Sequence, residues 1–124
     1  VTRVPDQRRL ADWVLVALTL GVQFWGLYAP TLPDLGTSGI PFADKAGHAV
    51  MFALATWALL RVLDVRIVLA LMGLQLVASE VVQALFLPER SGDVWDAAAD
   101  ALGIAVGWWT WRKGLAEEDG NPGN

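Results

Sequence analysis

The 124-residue sequence has no cysteine, which excludes disulfides, thiolate catalysis and cysteine-built metal sites. Only one histidine is present, weak support for a metal centre on its own. Charged residues make up just 18% of the chain, and Asp plus Glu outnumber Lys plus Arg by 13 to 9. No basic field for nucleic acid is therefore available. The chain is also too short for a catalytic lobe beside a membrane part. What it does have is apolar character. Hydrophobic residues reach 55%, more than an ordinary soluble domain carries. There are also seven tryptophans, which in a membrane protein are expected as interfacial anchors.

The apolar residues fall into four runs, each near the roughly 20 residues that cross about 30 Å of hydrocarbon as a helix. The first covers residues 11–29 and ends at Tyr28-Ala29-Pro30. It is too long for a cleavable signal peptide and lacks a small-residue cleavage site. A Pro/Gly-rich loop over 31–43 follows, and Asp44 reads as the N-cap of a second helix over 45–63. Asp64-Val65-Arg66 reads as a tight polar turn before a third run over 67–87. The charged turn Pro88-Glu89-Arg90-Ser91-Gly92-Asp93 leads into a fourth over 94–111, which Arg112 and Lys113 should stop. Residues 114–124 are expected to be a disordered acidic tail.

The expected fold is thus all-α: a polytopic membrane protein with four transmembrane helices in an antiparallel bundle, one domain over 1–113. Arg3, Arg8, Arg9, Arg61, Arg66, Arg112 and Lys113 flank one side of the spans, against Lys45 and Arg90 on the other. The positive-inside rule then puts both termini in the cytoplasm, and the expected location is a bacterial inner membrane.

Ionisable groups inside apolar spans are costly and default to functional candidates. Counting 1.5 Å per residue from the outer helix ends puts His48 about 6 Å deep, Glu80 about 10 Å, Gln83 about 6 Å, Asp96 about 3 Å and Asp100 about 9 Å. All lie in the outer half. Asp44 with His48, and Asp96 with Asp100, share helix faces by i, i+4 spacing. The acidic stripe of the fourth helix continues through Gly103 and Gly107, a spacing that lets helices approach closely, within the bundle in preference to dimerisation. One outward-facing polar pocket lined by helices 2, 3 and 4 is the economical reading.

Each of these groups has two readings. His48 could carry protons or bind metal, or simply hydrogen-bond to Glu80 or an aspartate. Glu80 could be functional, or be an ion-pair partner of Lys45 or Arg90. Arg90 could clamp a phosphate or carboxylate, or pair with Asp44, Asp93 or Asp96. Glu80, Asp96, Asp100 and His48 could jointly hold a divalent cation, but no HExxH-like spacing is present and no metal or other cofactor is assigned. The same four are the candidates for catalytic acid/base work. Ser79 and Ser91 are the available nucleophiles, neither with a base evident beside it.

The pattern Asp44-Lys45-x-x-His48, Glu80-x-x-Gln83 and Pro88-x-Arg90-Ser91-Gly92-Asp93-x-x-Asp96, closing with Gly103-x-x-x-Gly107, resembles the VanZ-like family of small membrane proteins. The resemblance runs from Asp44 to Gly107. It implies a four-helix membrane protein linked, through the founding member, to teicoplanin resistance. It also implies Asp44, Lys45, His48, Glu80, Gln83, Arg90, Ser91 and Asp96 as ligand-binding residues. Asp100 departs from the pattern, which has Asn there. The expected function is a cell-envelope protein engaging membrane lipids, a lipid-linked cell-wall precursor or a lipoglycopeptide. The alternatives are an intramembrane acid/base or metal-dependent enzyme on lipid-linked substrates, and a proton-coupled transporter or flippase.

Overall fold

A computed structural model describes residues 5–31, 42–87 and 94–119. Four helices make up the regular structure of the described residues: α1 (Pro5–Tyr28), α2 (Ala43–Leu60), α3 (Val65–Phe86) and α4 (Val94–Asp119). The chain is all-helical, with no strand among the described residues.

The helix ends differ from the expected ones for local reasons. α1 starts at Pro5, where proline is tolerated because the first turn has no internal use for its missing N–H. Asp44 is not the cap of α2. Phe42 holds that position in the left-handed region (φ 62°), its carbonyl accepts from the Ala46 N–H at 2.9 Å, and Asp44 sits inside the first turn. There its carboxylate faces the positive end of the helix dipole. α2 ends at Leu60, and the amides of Arg61, Val62 and Leu63 close back onto the carbonyls of Ala58 and Leu59. The turn therefore falls at 61–64, and Arg66 lies within α3. α3 stops at Phe86. Leu87 leaves the helical region (φ −123°, ψ 78°), and the residue before a proline disfavours helix.

α4 corrects the expected stop at Arg112. It continues through Arg112, Lys113 and Gly114 to Asp119, so residues 114–119 are helical rather than disordered. Arg, Lys, Leu, Ala and Glu are good helix formers, and charge ends an apolar run without ending a helix. Residues 120–124 lie outside the described residues, as do the loop at 32–41 and the charged turn at 88–93.

Among the described residues, two helices, over Arg9–Tyr28 and Val65–Phe86, are long and apolar enough to cross a membrane. Four were expected. α2 and α4 carry polar groups in their first turns, Asp44, Lys45 and His48 on one and Asp96 and Asp100 on the other, which lowers their apolarity.

α1 and α4 each pack on α2 and α3, which places them on opposite sides of the bundle. The four-residue turn makes α2 and α3 antiparallel. α2 and α4 are neighbours running in parallel: Lys45 meets Asp96, His48 meets Asp100, Ala49 meets Gly103 and Ala53 meets Gly107, both sequences ascending together. A Cβ on Gly103 or Gly107 would stand 2.9 Å from the Cβ of Phe52 or Thr56, respectively, and press on the α2 backbone. The two glycines therefore serve packing within the bundle.

Polarity is inverted relative to a soluble core. Gln23, His48, Thr56, Ser79, Gln83, Asp96 and Asp100 are buried, whereas Leu18, Leu74, Val77, Leu85, Phe86 and Leu102 are exposed. The apolar interior that remains is built on Phe52, Ala55, Ala58, Leu59 and Leu60 of α2, with Val16 and Leu27 of α1 and Val68 and Met72 of α3.

Candidate functional site

The polar residues of α2, α3 and α4 converge along one seam. At the end of the seam formed by the first turns of α2 and α4, the Lys45 ammonium lies between two carboxylates, 3.2 Å from Asp96 Oδ1 and 3.4 Å from Asp44 Oδ2. One turn deeper, His48 Nδ1 is 2.8 Å from Asp100 Oδ1, and both side chains are buried. A carboxylate only accepts, so the imidazole donates from Nδ1 when Asp100 is ionised. Glu80 joins them from α3: ligand atoms of His48, Glu80 and Asp100 all lie within 4.8 Å of one another.

The close approach of α2 and α4 makes this possible. His and Asp have short reach, and they meet because glycines at 103 and 107 let the two backbones come together. Asp100, where the VanZ-like pattern has Asn, is the imidazole's partner and is fully buried at 0% exposure. Its second oxygen, Oδ2, is buried with no hydrogen-bond partner among the described residues. The described seam sets one ammonium, Lys45, against four carboxylates, those of Asp44, Glu80, Asp96 and Asp100.

Not every expected residue lines the seam. Glu80 and Gln83 are i, i+3, about 60° apart around a helix, and the structure uses that angle to split them. Glu80 turns toward α2 and α4. Gln83 turns toward α1 and donates from Nε2 to the Leu27 carbonyl at 2.8 Å. Ser79, a candidate nucleophile, donates to the Leu76 carbonyl of its own helix at 3.0 Å. Arg90 and Ser91 lie outside the described residues.

A second polar seam joins α1 and α3. Tyr28 donates to Gln75 Oε1 at 2.9 Å, and Gln75 donates in turn to Gln23 Oε1 at 3.2 Å. Sequence reasoning missed this chain of partners. The signal was the i, i+4, i+8 stripe of Gln75, Ser79 and Gln83 along α3. At the opposite end of the bundle, Arg61 holds Asp12 Oδ1 at 2.9 Å and lies 5.1 Å over the Trp57 ring. Arg112 and Lys113 lie over Trp108 and Trp109 at the same end, each at 5.2 Å.

No protein-family model, curated protein or solved structure matches the chain.

Proposed function

We propose that this is a VanZ-like integral membrane protein of the bacterial inner membrane. All four helices span the bilayer, both termini are cytoplasmic, and the α2–α3–α4 seam opens to the outer surface. Two features support the membrane placement. Apolar side chains face out while ionisable ones are gathered inside, the arrangement expected when lipid is the solvent. Arg61, Arg112 and Lys113 cover tryptophan rings at one end, as at a cytoplasmic interface.

The seam receives the polar part of a membrane-borne ligand: a lipid headgroup, a lipid-linked cell-wall precursor or a lipoglycopeptide. Its role is protection of the cell envelope. The observation that carries this reading is the meeting of Lys45, His48, Glu80, Asp96 and Asp100 from three separate helices. Lys45, already between Asp44 and Asp96, orders the rim, and Arg90 supplies the contact to anionic groups of the ligand. Competition binding of anionic and zwitterionic lipids to the protein in nanodiscs tests this. Arg90→Ala and Lys45→Gln should each weaken the preferred lipid, and Arg61→Gln at the far end should not. Equal affinity across all of them would count against the reading.

The His48–Asp100 pair favours one alternative. An imidazole oriented by a buried carboxylate is a general-base unit, so the seam would then act on a lipid-linked substrate. Turnover of labelled lipid phosphates that His48→Ala abolishes would establish that activity.

A further inference from the structure

We infer that His48, Glu80 and Asp100 form a binding site for one divalent transition-metal ion of the zinc class. Each residue offers one ligand atom, from α2, α3 and α4 respectively, and these atoms lie within 4.8 Å of one another. One imidazole nitrogen with two carboxylate oxygens is a donor set zinc accepts. Calcium prefers six to eight oxygens, and magnesium keeps most of its water.

The distances fit with small adjustment. Zinc bonds of about 2.0–2.2 Å put tetrahedral ligand atoms about 3.4 Å apart. The widest separation in the trio closes by no more than about 1.4 Å, within reach of a rotamer adjustment of the Glu80 stem. Three protein ligands leave a fourth position for water or a ligand atom.

A further observation points to a cation. Asp100 Oδ2 is fully buried and has no hydrogen-bond partner among the described residues, while Oδ1 serves His48. A buried carboxylate oxygen without a donor is costly, and a metal ion answers it directly. The site does not rest on the headgroup reading, since it needs no lipid.

The test uses the full chain purified in detergent without a polyhistidine tag, stripped with a chelator and titrated with zinc chloride alone. One zinc per chain is expected by elemental analysis and calorimetry. Glu80→Gln and His48→Ala should each weaken binding at least about tenfold, the low end for disturbing a metal site. Glu117→Gln, on the exposed surface of α4, should leave it unchanged. His48 is the sole histidine, so the imidazole 15N resonances of the unmutated protein read its involvement without any variant. They should shift as zinc is added, and helical circular dichroism of the variants separates lost ligation from lost fold. Absence of stoichiometric zinc, an unshifted imidazole, or undiminished binding in folded Glu80→Gln would each overturn the site.

Discussion

Gly103 of α4 lies directly against the main chain of α2 at Ala49, where an added Cβ would overlap the Ala49 carbonyl oxygen. Backbone cannot move aside as a side chain can, so Gly103→Ala must push the two helices apart. We expect a loss of about 1–3 kcal/mol, the usual cost of overpacking, in reversible unfolding in mixed micelles. Gly114→Ala on the same helix meets nothing within 4 Å. It should be neutral or gain up to about 1 kcal/mol from helix propensity. Equal effects of the two substitutions would mean that α2 and α4 are not in contact.

The same approach sets the His48–Asp100 hydrogen bond at 2.8 Å. A double-mutant cycle with His48→Ala and Asp100→Ala should therefore show coupling, about 0.5–3 kcal/mol for residues in one network. Asp100→Asn alone should be tolerated better than His48→Ala. Asparagine keeps an acceptor for the imidazole and removes a buried charge, whereas loss of the imidazole strands the carboxylate. A coupling of zero would place the two side chains apart.

These relationships explain what was legible in the sequence. Helical class followed from run lengths. The gathering of His48, Glu80, Asp96 and Asp100 followed from counting residues inward from the helix ends, because rise per residue is fixed. Which neighbour each residue takes did not follow. Glu80 and Gln83 share a face by spacing, yet the 60° between them lets one serve α4 and the other α1. Asp100 seemed a departure from a family pattern, and its pairing with His48 depended on the crossing that Gly103 and Gly107 permit. Arg112 and Lys113 marked the end of an apolar run, which is not the end of a helix. The Tyr28–Gln75–Gln23 chain involves residues that are individually unremarkable and gain meaning only from how α1 docks.

Gln75 is the hub of that chain, accepting from Tyr28 and donating to Gln23. Gln75→Leu removes both bonds and leaves two polar groups to find other partners, so a cost of about 1–3 kcal/mol is expected. Tyr28→Phe removes one bond and should cost about 0.6 kcal/mol, the average for hydrogen bonds between helices in a bilayer. Unfolding of both variants in the same micelles checks the order. If Tyr28→Phe proves the more damaging, Gln75 is not the hub.

The absence of cysteine makes the proposed topology open to a direct test, since any cysteine introduced is the sole thiol in the chain. Ser38→Cys, between α1 and α2 in the sequence, should react with a membrane-impermeant maleimide on intact cells. Glu117→Cys, near the end of α4, should react only after permeabilisation. Both outcomes follow from the cation count at the helix ends and from the basic residues stacked on Trp57, Trp108 and Trp109. Val77→Cys separates a lipid-facing helix from a water-facing one. Val77 is 58% exposed in the isolated bundle. If lipid covers that face of α3, its thiol stays unlabelled before and after permeabilisation, because a charged reagent does not enter hydrocarbon and a thiolate does not form there. Labelling of Val77→Cys in permeabilised cells would mean that water, not lipid, meets the apolar face. The case for a membrane-spanning bundle would then fail, whatever Ser38→Cys and Glu117→Cys show.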